Sequence, residues 1–134
     1  MKHAHTLDSL HSLCYIINSD DDQPVVQDLA AGFDMNDNLV IAIDNIDYED
    51  RHNNCSTAII VSRHDAQRIA RRHRIKYHCL PQFIGECMAE WKEIINPTFN
   101  HVQTCFKEIS ECLLDEGCRM RIRRTYGRNG FICC

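Results

Sequence analysis

The chain reads as one α+β domain, with an antiparallel or mixed four-stranded sheet of two hairpins packed against amphipathic helices. Three observations predict it. Two β-type segments, 39–46 and 57–61, are joined by a connector without a helical pattern. That connector is shorter than the dozen or so residues a parallel crossover needs, so the two segments pair antiparallel. Two long amphipathic stretches occupy 81–95 and 98–116. Near the C-terminus, Arg119, Arg121 and Arg123 alternate with Met120 and Ile122 ahead of Asn129-Gly130, a strong short signal for a hairpin over 118–133. At 134 residues the chain has the length of a single domain.

The remaining elements follow in order. Leu7, Leu10, Cys14 and Ile17 recur at spacings of three and four, which predicts an N-terminal helix over 5–18 with Thr6 as its cap. Ser19-Asp20-Asp21-Asp22-Gln23-Pro24 reads as a loop that ends it. Residues 25–33 suit a short helix closed by Gly32, and 34–38 carry turn chemistry. Asp50 to Asn54 form a polar connector between the first two strands. Ser62 with Asp65 three residues later resembles a capping box opening a helix over 63–73. Pro81 suits the first turn of the next helix, and Asn96-Pro97 separates it from the last. Gly117 stands where a left-handed C-cap is expected.

Composition bounds the classes. The apolar fraction is 44% and the charged fraction 25%, which suits a globular protein. No stretch reaches the roughly 18 apolar residues of a membrane span, and the first residues lack the apolar run of an export signal. The expectation is therefore a cytoplasmic protein without membrane contact, whose nine cysteines stay reduced and serve mostly as small buried hydrophobes. No Cys-x-x-Cys pair is present. Charge is uneven: residues 1–55 carry a net −9 and residues 56–134 a net +5. Such asymmetry suits either an anionic partner or attraction between the two halves of one fold.

Four constellations bear on function. A helix-turn-helix over 66–85 would use Ala70, Ile75, Leu80 and Phe83, but Arg74 holds the usual turn-glycine position and Pro81 would fall inside the second helix. A basic surface would combine Arg63, Arg68, Arg71, Arg72, Arg74 and Lys76 with Arg119, Arg121, Arg123, Arg124 and Arg128, and Tyr126 would stack on a base. The acids of 34–50 are the competing sink for those arginines. Metal-ligand types occur at His101 and Cys105, at His73, His78 and Cys79, and at Cys133-Cys134, without the spacing of a known finger. Asp44, Asp47, Glu49 and Asp50 would present carboxylates to a divalent ion at a strand end.

No catalytic residue, metal ligand or cofactor is assigned, because no phosphate loop, nucleophile elbow or metalloprotease helix is present. By elimination the sequence points to a small non-enzymatic binding or regulatory protein acting through protein–protein contacts, with another protein or a second copy as partner. The alternative is a nucleic-acid-binding module using the two arginine clusters. A third reading is a metal-dependent hydrolase centred on Asp44.

Overall fold

The computed structural model describes residues 6–18, 25–47, 49, 54–95, 97–126 and 131–133. The predicted loop 19–24, the connector 50–53, Asn96 and the hairpin turn 127–130 lie outside them. The class is α+β, but the sheet has six strands where the sequence predicts four. They are β1 (His11–Ile17), β2 (Val25–Phe33), β3 (Leu39–Asp47), β4 (Cys55–Val61), β5 (Met120–Tyr126) and β6 (Phe131–Cys133). They follow one another as an antiparallel meander in chain order, so the two expected hairpins belong to one continuous sheet.

The two extra strands are the segments expected to be helical. The predicted helix over 5–18 is instead a 3₁₀ turn, Thr6–Ser9, followed by β1. Ser12 has φ 53°, and the pairing with β2 slips between His11 and Cys14 and again between Tyr15 and Ile17. Each slip resets the alternation of a strand. The apolar residues therefore recur at spacings that imitate a helix, and Ile16 and Ile17 are both buried. The short helix expected at 25–33 is β2. Its Val26, Leu29, Ala30, Ala31 and Phe33 are all buried because both faces of the sheet are covered there, which removes the alternation that marks an ordinary strand.

Among the described residues four α-helices follow: α1 (Arg63–Arg72), α2 (Leu80–Cys87), the single turn α3 (Ala89–Lys92) and α4 (Phe99–Asp115). The stretch read as one helix over 81–95 is thus α2 and α3. Ser62 Oγ caps α1 by accepting from Asp65 N, and Pro81 sits in the first turn of α2, where its missing N–H costs nothing. Thr98 and His101 form a reciprocal capping box on α4.

Two of these helices end alike. After α4, Cys118 N donates to Leu113 O and Gly117 N to Leu114 O, with Gly117 at φ 84°. After α1, Ile75 N donates to Ala70 O and Arg74 N to Arg71 O, with Arg74 at φ 60°. Both are Schellman closures, which favour glycine at the left-handed position. A side chain there costs about 1 kcal/mol. Arg74→Gly is therefore expected to raise the unfolding free energy by about 1 kcal/mol, read as a higher urea midpoint. An unchanged or lower midpoint would mean that the arginine side chain itself holds the corner.

The core has two layers. On one face of the sheet Leu29, Phe33, Ile41, Ile59 and Val61 meet Ala66, Ile69, Leu80, Ile84, Val102, Ile109 and Leu113 from the helices. On the other, Ala30, Val40, Ala42, Ala58 and Ile60 are closed by Leu7, Leu10 and Leu13 of the N-terminal segment. Gly32 makes that second layer fit, because a Cβ there would stand 3.0 Å from Leu10 Cβ and 3.1 Å from the His11 carbonyl oxygen. Cysteine burial is narrower than expected. Cys14, Cys55, Cys79, Cys87, Cys105, Cys112 and Cys118 are free thiols, but among these only Cys105 and Cys118 are buried, while Cys87 and Cys112 are exposed. Burial pushes the Cys105 thiol up to about 12.

Candidate interaction surface

The arginines of α1 divide into two groups. Arg68 and Arg72 hold the fold. Arg68 Nη1 donates to Asp65 Oδ1 at 3.0 Å, and its Nη2 donates to the Gly117 carbonyl at 3.1 Å. Arg72 Nη1 pairs with Glu116 Oε1 at 2.6 Å, and His73 Nε2 lies 2.9 Å from Glu116 Oε2. Arg63, Arg71, Arg74 and Lys76 are exposed, and no acid pairs with their side chains among the described residues.

Asp65 joins this helix to the start of β5. It is buried, and its Oδ2 accepts from Arg119 N at 3.1 Å while Oδ1 takes the Arg68 guanidinium. The Arg119 backbone N–H, and after it the Arg68 charge, hold the Asp65 carboxyl below the usual range in spite of its burial. The Glu116 carboxyl is held low in the same way, chiefly by its hydrogen bond to His73 and then by Arg72.

On β5 the arginines take both faces. Arg121 is in register with Ile60 and Arg123 with Ala58, so both point to the face closed by the N-terminal segment. Ile122 and Arg124 point to the helix side, in register with Ile59 and Thr57. The one-faced basic ribbon expected from the alternation is therefore limited to Arg121 and Arg123. The Arg119 charge lies beside Asp65, whereas no acid pairs with Arg121, Arg123 or Arg124 among the described residues. The Tyr126 side chain and Arg128 lie outside them.

The acids of 34–47 do not neutralise these arginines. Asp34 accepts from Asn36 N, Asn38 N and Asn38 Nδ2, and Asp37 pairs with His11. Asp44 is buried within β3 beneath the N-terminal turn, where Ser56 Oγ donates to it at 2.6 Å and Leu7 N at 3.2 Å. It is not presented at a strand end. Asp47 Oδ1 accepts from Glu49 N, and Asp50 lies outside the described residues.

The helix-turn-helix candidates and three of the metal candidates, His73, His101 and Cys105, are engaged elsewhere, while Cys134 and the Cys133 side chain lie outside the described residues. Ala70, Ile75, Leu80 and Phe83 belong to the core or pack on it, and α2 lies on β1 and β2, exposing Gln82, Glu86 and Cys87. His101 Nδ1 accepts from Thr98 N, His73 binds Glu116, and Cys105 is buried. Among the described residues no three His, Cys, Asp or Glu side chains gather as a metal ion needs, and no described helix is long and apolar enough to cross a membrane.

The sequence suggests a sheet edge at the C-terminal strand; which stretch of it lies open comes from the register. β6 is in register only with Arg124 to Tyr126, so among the described residues no strand lies outside Met120 to Arg123. Against β4 this stretch runs in unbroken register, and its Ile122 is 53% exposed. No family model, curated protein or solved structure matches the chain.

Proposed function

We propose that this chain is a non-enzymatic binding protein that contacts a partner protein through the outer edge of β5. One observation carries the reading: an unbulged, outward-facing strand edge is flanked by Arg121, Arg123 and Arg124, which no described acid neutralises. Such an edge accepts an added strand through its main-chain groups. Arg119, Arg121, Arg123 and Arg124 would favour an acidic one. Pairing this edge with a second copy would set like charges opposite one another, which is unfavourable, so the partner is a different chain. A reducing, cytoplasmic setting goes with this reading and is supported by the exposed free thiols Cys87 and Cys112. The test is cross-linking and co-capture with the wild type beside the Arg121→Glu/Arg123→Glu variant. We expect an acidic partner to be lost from the variant while its unfolding free energy stays within about 0.5 kcal/mol of the wild type. Equal capture by both proteins would remove the edge from consideration.

A second reading is nucleic-acid binding by the same arginines. The Asp65–Arg119 bond brings the start of β5 against the first turn of α1, which joins the two basic segments at Arg119, while Arg121 and Arg123 point to the other face of the sheet. Binding to mixed DNA and RNA should then fall steeply with salt, with a slope of about −0.9 per duplex phosphate neutralised. No binding at low salt would end this reading.

A further inference from the structure

At the opposite end of the sheet, two hollows lie along β1. The smaller, about 240 Å³, has Tyr15 and Ile17 on the strand side and Trp91, Ile94 and Pro97 across from them. The larger, about 510 Å³, has Ser12 and Cys14 on the strand side and His78 and Gln82 across from them. Lys92 lines both, so they form one trough running from Ser12 to Asn18 with an amine at its middle. The strand wall is a sheet edge, since β1 pairs with β2 and with no other described strand.

Three features define what fits. The first is charge. Among the described residues no acidic side chain lines either hollow, whereas Lys92 and His78 do, and the exposed Lys76 lies two residues before His78. Lys92 has no ion pair among the described residues. The second is shape. The smaller hollow is walled by two aromatic rings and aliphatic groups, with the polar Asn18 and Lys92 at its wall as well, and has room for one large side chain with an apolar body. The third is the strand edge itself. The left-handed Ser12 and the two register slips prevent β1 from taking a long flat strand, which is how sheet edges refuse a second copy of themselves. A short extended chain has no such obstacle.

We infer that this trough binds a short extended segment of a partner protein, with a large apolar side chain in the hollow between Tyr15 and Trp91 and a carboxylate on Lys92. The site is separate from the β5 edge and does not depend on it.

The test pans phage-displayed random dodecapeptides on the reduced full-length chain, with the Lys92→Glu variant as counter-selection. Lys92 is exposed, so the variant should keep its unfolding midpoint. Selected peptides are expected to share an acidic residue near a large apolar one. They should shift backbone amide resonances of Ser12–Asn18 and Trp91–Ile95, and bind Lys92→Glu about tenfold more weakly. Replacing the peptide's acid by lysine should restore binding to Lys92→Glu. Failure to enrich peptides, amide shifts confined to other surfaces, or equal affinity for both proteins would each overturn the proposal.

Discussion

Asp65→Ala is expected to lower the unfolding free energy by roughly 3 kcal/mol. The carboxylate is buried and bonds two groups distant in sequence or in role: the Arg119 backbone N–H, 54 residues away, and the Arg68 guanidinium. Hydrogen bonds to a charged group contribute about 1.5–3 kcal/mol each way they are counted, and the charge also lies in the first turn of α1, where the helix dipole favours it. Removing it strands the Arg119 N–H and leaves Arg68 with only the Gly117 and Glu116 carbonyls. The effect carries a pH signature. Asp65 is held below its ordinary value in the folded state, so its contribution is present above the unfolded carboxylate value of about 4 and is lost as pH falls through the lower folded value. Glu116 behaves in the same direction. Urea unfolding at pH 7 and pH 3 should therefore show a large difference between wild type and Asp65→Ala at pH 7 and a smaller one at pH 3. Equal differences at both pH values would mean that the side chain acts through packing and not through its charge.

What could be read beforehand follows from how local each signal is. The strands β3 and β4, the caps at Ser62 and Gly117, and the break at Pro97 are written within a few residues, and all are present. The N-terminal strand was illegible because Ser12 and the register slips give β1 a helix-like spacing, and β2 because both its faces are buried. The same distinction applies to the surface. Arginine-rich segments are visible in the sequence, but which arginines are already used is not. Arg72 is taken by Glu116, 44 residues on, and Arg68 by Asp65 and by the Gly117 carbonyl. The trough had no sequence signal at all, since Lys92 is one more charge on a helix until β1 is placed across from it. Burial of cysteine was overestimated because an apolar stripe locates a helix face without saying how far the core extends. Cys105 falls inside it and Cys112, seven residues on, falls outside.

Gly32→Val offers the sharpest test of the N-terminal segment, because two effects oppose one another there. Valine is a favoured strand residue and glycine a poor one, so at an ordinary position in β2 the change should stabilise by up to about 1 kcal/mol. At Gly32, however, the first added carbon would stand 3.0 Å from Leu10 Cβ and 3.1 Å from the His11 carbonyl oxygen, and one of these is backbone. The two γ-methyls of valine extend the overlap into the layer that Leu7, Leu10 and Leu13 close over Ala30, Val40 and Ala42. The segment must lift, and overpacking of this kind costs about 1–3 kcal/mol. We expect a net loss of about 2 kcal/mol in urea unfolding, together with faster proteolysis near Leu10 and exposure of Asp44, which the N-terminal turn covers through Leu7 N. Gly32→Ala separates the terms: it adds the close contact without the γ-methyls and should fall between wild type and valine. If valine instead stabilised the protein, the segment would not be lying against β2, and the second layer of the core would have to be covered in some other way.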